Sequence, residues 1–399
     1  MTSELKPPLF PMDRADPFDP PLEYLTLRSE GVRRFTWPNG VEAWLVTRFE
    51  DVRDALRDPR LSIVKTMGPP PSLALGRGPG VMLPRSLVGM DPPEHQFWRR
   101  PVVRELTVRR LAPLRPRIER IVAEHLDRME RHGPPADLVR SFALPVPSLV
   151  ISELLGVPAH DQGDFQRYTQ VISTVGAPAQ DVQAASDALQ RYMGELVKSK
   201  RRHPGDDILS RMARDFPDDV EPAEDALLGN GMLILVAGHE TTANMIALSV
   251  LTLLNWPDQL AVMRGDPEAI APAVEELLRF HAVIQYGLVR RASADLTLAG
   301  QQIQAGDWVV CSLASANRDT ALCPHPERFQ VDRAPEGHVS FGYGIHQCAG
   351  QHLARLELSI ALPALFDRFP RLRLAEPLDQ LSFRDDMFVY GLHKLPLEW

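Results

Sequence analysis

The segment Phe341-Gly342-Tyr343-Gly344-Ile345-His346-Gln347-Cys348-Ala349-Gly350 decides how this chain is read. Two glycines at alternate positions permit a tight, twisted backbone with φ > 0. Cys348 stands just ahead of a helical run through Leu353, Arg355, Leu356 and Leu358. A helix N-terminus stabilises an anion and lowers a thiol pKa, and free amides of the loop and helix can donate to the sulfur. A protein holds a permanent thiolate under a metal in this way. Phe341 can shield such a site from water, and His346 can donate to an anionic cofactor group. The plain alternative is a buried free cysteine in a glycine turn, the usual fate of a lone cysteine. The ten-residue pattern around Cys348 is too specific for that.

The other cysteines, Cys311 and Cys323, complete an odd, widely spread set of three. That is no disulfide framework, and a reducing compartment fits it. Zinc chemistry fails on spacing. His239-Glu240 begins a His-Glu-x-x-His motif, but Ala243 occupies the second histidine position. Cys323-Pro324-His325 and His346-Gln347-Cys348 leave single-residue gaps, shorter than Cys₂His₂ sites use. The net charge of -8 argues against a nucleic-acid binder. The N-terminus, Met1 to Pro8, has no apolar core of a secretory signal, so a soluble cytoplasmic protein is expected. The most apolar stretch, 227–254, is interrupted by His239, Glu240 and Asn244, and reads as a buried core helix rather than a membrane span.

With 399 residues, 44% of them hydrophobic, the chain can build a sizeable core. Residues 1–22 are proline-rich and read as an extended arm. Strand-like sequence over 41–49 is followed by a short helix over 51–57. Residues 66–89 form a long irregular loop, of the kind that serves as a lid or binding loop. Apolar periodicity predicts helices over 95–106, 116–131, 146–155, 181–200, 222–256 and 267–280. The run 222–256, about 52 Å long at 1.5 Å per residue, is the candidate central helix. Short strands are expected at 296–298, 302–304 and 308–313, and a last long helix after Cys348. No repeat or linker divides the chain. The expectation is one domain over 1–399, mainly α with a smaller β-rich portion.

The cysteine segment resembles the haem-binding loop of the cytochrome P450 family, Phe-Gly-x-Gly-x-His-x-Cys-x-Gly, at every fixed position, with Ala349 in place of a common leucine. Ala237-Gly238-His239-Glu240-Thr241-Thr242 resembles the family's oxygen-activation motif on its long central helix. Glu276-Leu277-Leu278-Arg279 resembles its Glu-x-x-Arg motif, and Pro326-Glu327-Arg328-Phe329 the segment whose arginine completes that ion network. Asp91-Pro92-Pro93-Glu94-His95 with Arg99 resembles the propionate-binding segment of bacterial members. Ala316-Asn317-Arg318-Asp319 also fits, with Thr320 where proline is common. The ending Gly391-Leu392-His393-Lys394-Leu395-Pro396 and the helix after Cys348 look most like actinobacterial members. The resemblance covers nearly the whole chain. It implies the P450 fold, with the long central helix over the haem, and haem b (iron protoporphyrin IX) held by the thiolate of Cys348. It also implies insertion of one oxygen atom from O₂ into an organic molecule, by hydroxylation or epoxidation.

On that reading the remaining motifs acquire roles. Gly238 beside a threonine lets the helix open locally and, with Ala237, make a groove for O₂. Thr241 can hydrogen-bond the reduced dioxygen, and Glu240 can relay protons to it. Without the cysteine motif, Glu240 would be an ordinary salt-bridging carboxylate and Thr241 an ordinary helical threonine. His95 and Arg99, one turn apart, join Arg290 and His346 as partners for the two haem propionates. Phe341, Gly342 and Gly350 shape the loop. Glu276, Arg279 and Arg328 form a structural network supporting it and are not catalytic.

The resemblance also places pocket walls in the 66–89 loop, near 165–180, on the central helix, at 283–288 and at 387–390. Leu87, Val88, Leu233, Val236, Val283, Ile284, Phe388 and Val389 make an apolar lining suited to a lipophilic substrate, in natural-product tailoring or xenobiotic oxidation. Arg77 and Arg85 are candidate partners for an acidic group. No Gly-x-Gly-x-x-Gly fingerprint follows a strand, so electrons are expected from a separate ferredoxin and its reductase. Eight arginines between Arg99 and Arg120, including Arg104 and Arg109, offer an acidic partner a docking face. The protein is expected to act as a monomer. Direct use of peroxide is the nearest alternative, and the Glu240-Thr241 pair argues against it. A haem-based gas sensor is the alternative from another class, recognised by an absence of turnover with any reductase.

Overall fold

The long apolar run is the helix Ala223–Asn255, 33 residues. Glu224 and Asp225 place negative charge in its first turn, where the helix dipole favours it. It stops because Pro257 opens the next helix, Pro257–Gly265, and Trp256 takes the non-helical φ of -122° and ψ of 74° suited to a residue before proline. By length and composition Glu224–Asn255 could cross a membrane, but 61% of its most apolar stretch is buried within the protein. It is the core helix that His239, Glu240 and Asn244 point to.

The computed structural model describes residues 13–37, 40–64, 86–173, 178–215, 223–333, 337–385 and 387–399. The chain divides into two compact units. One comprises residues 1–78, 271–348 and 383–390, the other 79–270, 349–382 and 391–399.

The first unit is built on a five-stranded sheet. Its strand order is Arg33–Thr36, Glu42–Val46, Trp308–Cys311, Leu288–Ala292, Leu61–Ser62. Only the pairing of Glu42–Val46 with Trp308–Cys311 is parallel. Strand alternation sorts the side chains into two cores. Trp44, Val46, Val309 and Cys311 join one with Val52 and Leu56 of the helix Phe49–Arg57. Leu45 and Val310 join the other with Phe35, Trp37 and Tyr286. A separate hairpin pairs Leu296–Leu298 with Gln301–Ile303.

The second unit is helical. Its central helix packs against Pro145–Leu155, Ala179–Arg202 and Gln351–Arg368. Gly238 permits the first contact, because a Cβ there would stand 2.7 Å from Ile151 Cδ1. The helix Arg115–His132 packs in turn on Gln351–Arg368. A small sheet of Ala136–Asp137, Pro396–Glu398 and Arg373–Leu374 closes the unit's C-terminal end.

The expected mainly helical body with a smaller β portion is present. Most predicted helices begin and end within about three residues of their observed limits. The helix expected over 267–280 is split: Asp266 caps a 3₁₀ turn at Pro267–Ala269, and the α-helix runs Ile270–His281. Of the proline-rich arm, residues 1–12 lie outside the described residues. The same holds for 66–85 of the 66–89 loop, with Arg77 and Arg85, and for 174–177.

Candidate active site

In the first unit, Gly342 and Gly344 adopt φ of +71° and +73°. Gly344 is required on two counts, since a Cβ there would also meet the Leu56 carbonyl oxygen at 2.7 Å. The chain turns through Gly344–His346, and the Cys348 amide donates to the Phe341 carbonyl at 2.8 Å, closing the loop. Gly350, with φ of -84°, leads directly into Gln351–Arg368. Cys348 is exposed, whereas Cys311 and Cys323 are buried. Burial pushes the Cys311 thiol up to about 12. Cys348 alone is suited to bind a metal as thiolate. Phe341 and His346 are half-buried beside it in sequence.

A network behind the loop fixes its entry. Asn317 Oδ1 accepts from the Val339 amide at 2.8 Å, and Asn317 Nδ2 donates to Ser340 Oγ at 2.7 Å. Ser340 Oγ donates to the Leu278 carbonyl at 2.8 Å. Arg279 donates from Nε and Nη2 to the two carboxylate oxygens of Glu276, at 2.7 and 2.8 Å. Its Nη1 donates to the carbonyls of Asn317 and Pro326, at 2.9 and 2.8 Å. The Glu276–Arg279 pair is fully buried, as a supporting network requires.

Arg328 is a correction. Its side chain is 68% exposed and nearest to Glu327, and only its backbone carbonyl joins the network, accepting from Arg279 and Arg333. Arg333 completes the pair instead, with Nε 3.1 Å from Glu276 Oε1. The turn begun at His325, with φ of +47°, points Arg328 outward and returns the chain to Glu276 at Gln330, whose amide donates to Oε1 at 3.1 Å. The arginine's position in the motif did not reveal this. The nearby Asp332-Arg333 was the unused signal.

In the second unit, the central helix carries an uncovered stripe. Between Met232 and Leu253 its side chains are buried, except those of Leu233, Val236, Ala237, Glu240 and Thr241. Their spacing of three, one, three and one places them on a single helical face. The two pocket candidates and three oxygen-site candidates on this helix therefore share one surface. The expected local opening is not present: the helix runs unbroken through Gly238. Thr241 Oγ1 donates to the Ala237 carbonyl at 2.6 Å, a contact a regular helix accommodates.

His95 and Arg99 lie one turn apart on Glu94–Glu105. His95 is buried, and its imidazole is held below the usual range first by burial and then by the Arg99 charge. Arg290 is 4% exposed on the strand Leu288–Ala292. Each is a donor type suited to a carboxylate: the arginines as charged donors, the buried histidine through a ring N–H. By chemistry, an exposed cysteine in the first unit suits an iron, and arginine and histidine donors suit the carboxylates of a porphyrin, so the residue types present fit that group.

The pocket candidates divide by exposure. Leu87 is buried in the turn Leu87–Gly89, whose first amide donates to Asn230 Oδ1, and Val88 is exposed. Val283 and Val389 are buried, while Ile284 and Phe388 are half-buried. Val283, Ile284, Phe388 and Val389 come together, because Ile284 bridges Val389 in antiparallel register.

The arginine run is less available than its sequence suggests. Arg104 bonds Asp215 and Glu105, and Arg117 bonds Glu153. Arg110 and Arg115 face Glu105 and Glu119 at 3.9 and 3.6 Å. Arg100, Arg109 and Arg120 have no ion pair among the described residues.

Glu357, on the helix after Cys348, had no signal in the sequence beyond a charge within an apolar run. It is fully buried, neither carboxylate oxygen has a hydrogen-bond partner among the described residues, and burial raises its pKa from 4.5 to about 8. A carboxyl whose folded pKa exceeds its unfolded value costs nothing below pH 4.5, and it destabilises increasingly up to the folded value. Glu357→Gln should match wild type at pH 4.5 and be more stable by about 1–3 kcal/mol at pH 7, after allowance for water entry. Melting temperatures across pH 4.5–8 check this, and parallel profiles would refute it.

Comparison with known proteins agrees with this geometry. The family model described as Cytochrome P450 matches residues 269–393. "Cytochrome P450-SU2" from Streptomyces griseolus is 44% identical over 96% of this chain and 94% of its own length. "Pentalenic acid synthase" from Streptomyces avermitilis is 43% identical over 100% and 99%. The solved structure of Streptomyces peucetius CYP105P2 in complex with a biphenyl compound superposes with a TM-score of 0.88, at 42% identity, over 99% of this chain and 100% of that one. Identity of this extent, over a chain with this loop and this central helix, settles the assignment: the chain belongs to the cytochrome P450 family of haem b monooxygenases, with actinobacterial members as its relatives.

Proposed function

We propose that this enzyme oxidises a lipophilic small molecule, with residues 1–399 acting as one catalytic domain and Cys348 as the thiolate ligand of its haem. The uncovered stripe on the central helix carries the reading, because it sets the apolar Leu233 and Val236 in line with the proton-handling Glu240 and Thr241. Haem b supplies the iron at which O₂ is reduced and one oxygen atom passes to the substrate.

The chain's own residues do the rest. His95, Arg99, Arg290 and His346 would bind the propionates. Phe341 limits water at the sulfur, and Gly342 and Gly350 set the path of the loop. Ala237 would keep the helix wall low for O₂, while Gly238 lets the helix seat against Ile151. Thr241 Oγ1 holds its proton on the Ala237 carbonyl. Turned outward, that hydroxyl would present the proton to the reduced dioxygen, and the neighbouring Glu240 would replace it. Leu87, Val88, Val283, Ile284, Phe388 and Val389 contribute pocket walls. The relatives named for pentalenic acid and for a biphenyl ligand favour hydroxylation or epoxidation of a terpenoid-sized or aromatic hydrocarbon skeleton, in biosynthesis or xenobiotic breakdown.

Thr241→Ala tests the proton assignment. Haem content and substrate affinity should stay near wild type, while most NAD(P)H consumption is diverted from product to hydrogen peroxide. Unchanged coupling would remove Thr241 from the mechanism.

Electrons come from a separate ferredoxin and its reductase, in the cytoplasm, to a monomeric enzyme. Arg104, tied to Asp215 and Glu105, is a weaker docking candidate than Arg109. Arg109→Glu should slow ferredoxin-driven reduction severalfold without altering substrate affinity. The wild-type rate should fall as salt rises, since exposed charges are screened within about 10 Å at 0.1 M. Rates indifferent to both changes would place docking on another face.

A further inference from the structure

Residues 13–19 are fastened to the first unit at several points, and two of these lead to the segments assigned above to the substrate pocket. Arg14 Nε donates to Gln285 Oε1 at 3.1 Å. Its guanidinium lies over the Tyr390 ring, 3.8 Å from the centroid, and Tyr390 Oη donates to the Pro17 carbonyl at 2.8 Å. Gln285 Nε2 in turn donates to the Asp385 and Met387 carbonyls, at 2.6 and 3.1 Å. The base of the segment is held independently. Arg318 bonds the Asp19 carboxylate at 2.8 Å and the Phe18 carbonyl at 2.7 Å, and it stacks on Phe280.

What these contacts hold together is a weak element. The ladder between residues 283–285 and 388–390 has two backbone bonds around the Ile284–Val389 bridge. The Gln285 amide donates to the Phe388 carbonyl at 3.0 Å, and the Tyr390 amide to the Val283 carbonyl at 2.8 Å. So short a two-stranded pairing is marginal by itself. Its geometry is set by side chains that tie one strand to the other. Gln285 does so directly, and Arg14 links Gln285 to Tyr390 from outside. Arginine suits this place, since its planar fork can donate and stack at once.

We infer that the N-terminal segment is a clamp on the substrate-binding ladder, with Arg14 as its positioning residue, and that it thereby helps to set which lipophilic molecules this enzyme accepts. The inference rests on the assignment of Val283, Ile284, Phe388 and Val389 as pocket walls.

The test uses the haem-loaded enzyme and two probes. Imidazole ligates iron without filling the pocket; clotrimazole ligates iron and fills it with aromatic rings. Arg14→Ala should raise amide exchange at Gln285 and Tyr390 about tenfold, as expected for a locally released pairing. It should weaken clotrimazole binding, read from the Soret shift, by about five- to tenfold. Imidazole binding should not change. Arg14→Lys, which keeps the charge over Tyr390 and one donor, should recover part of both effects. Phe388→Ala should weaken clotrimazole binding without raising exchange at Gln285. Unchanged exchange in Arg14→Ala overturns the clamp. Raised exchange with unchanged clotrimazole binding overturns the positioning role if Phe388→Ala does weaken the probe. If Phe388→Ala and Ile284→Ala both leave clotrimazole binding unchanged, the pocket assignment has failed, and the positioning role with it, whatever the exchange shows.

Discussion

Cys348→Ala protein, reduced and exposed to carbon monoxide, is expected to lack the strongly red-shifted Soret band that wild type shows, and to form no oxidised product. The band reports electron density pushed onto the iron by an anionic sulfur, and alanine has none to give. No other thiol can stand in. Cys311 is fully buried in the first unit's core with its thiol pushed up to about 12, and Cys323 is buried as well. Cys311→Ala and Cys323→Ala should therefore keep the band. Cys348→Ser, nearly the same size, should also lose it, which separates loss of the ligand from loss of the fold. A Cys348→Ala protein that retained the band would end the assignment of this residue. The loop itself should persist in the variant. Its turn is set by Gly342, Gly344 and the Cys348 amide, none of which depends on the sulfur.

Much of this site was legible because its residues lie within one short segment or one helical turn of each other. The cysteine loop is ten consecutive residues, and each constrained glycine has a visible reason in the backbone. The stripe of Leu233, Val236, Ala237, Glu240 and Thr241 follows from helical spacing. His95 and Arg99 follow from the same rule. Contacts set by tertiary turns were not legible. Arg328 and Arg333 are both arginines near Glu276 in the fold, and only the turn after His325 decides which one points inward. Arg104 reads as a free surface charge until Asp215, more than a hundred residues away, is seen beside it. Arg14 gave no signal, because its partners Gln285 and Tyr390 come from the far half of the chain. The Arg53 and Arg57 side chains both donate to Tyr343 Oη, inside the cysteine loop, yet nothing in the loop's sequence announces them.

Arg279→Met should be among the most destabilising single changes available outside the cysteine loop. Methionine fills similar space, so little of the loss comes from a cavity. The loss comes from what remains. Glu276, fully buried, keeps among the described residues only Arg333 and the Gln330 amide, and the carbonyls of Asn317 and Pro326 lose their shared donor. Removing one partner of a buried pair costs about 3–5 kcal/mol, because the other charge is stranded without solvent. Exchanging both partners for apolar residues strands less, so Glu276→Leu combined with Arg279→Met should be less damaging than the sum of the two single changes. The network also carries the chain into the cysteine loop through Asn317 and Ser340. Arg279→Met should therefore lose haem at lower urea than wild type as well as unfold earlier. Arg333→Ala should show the same two effects more weakly. Arg328→Ala should show neither, since its exposed side chain contributes nothing and its carbonyl survives the substitution. Urea titrations followed by both far-UV dichroism and the Soret band provide the measurement. Equal losses for Arg328→Ala and Arg333→Ala would show that the observed geometry names the wrong arginine.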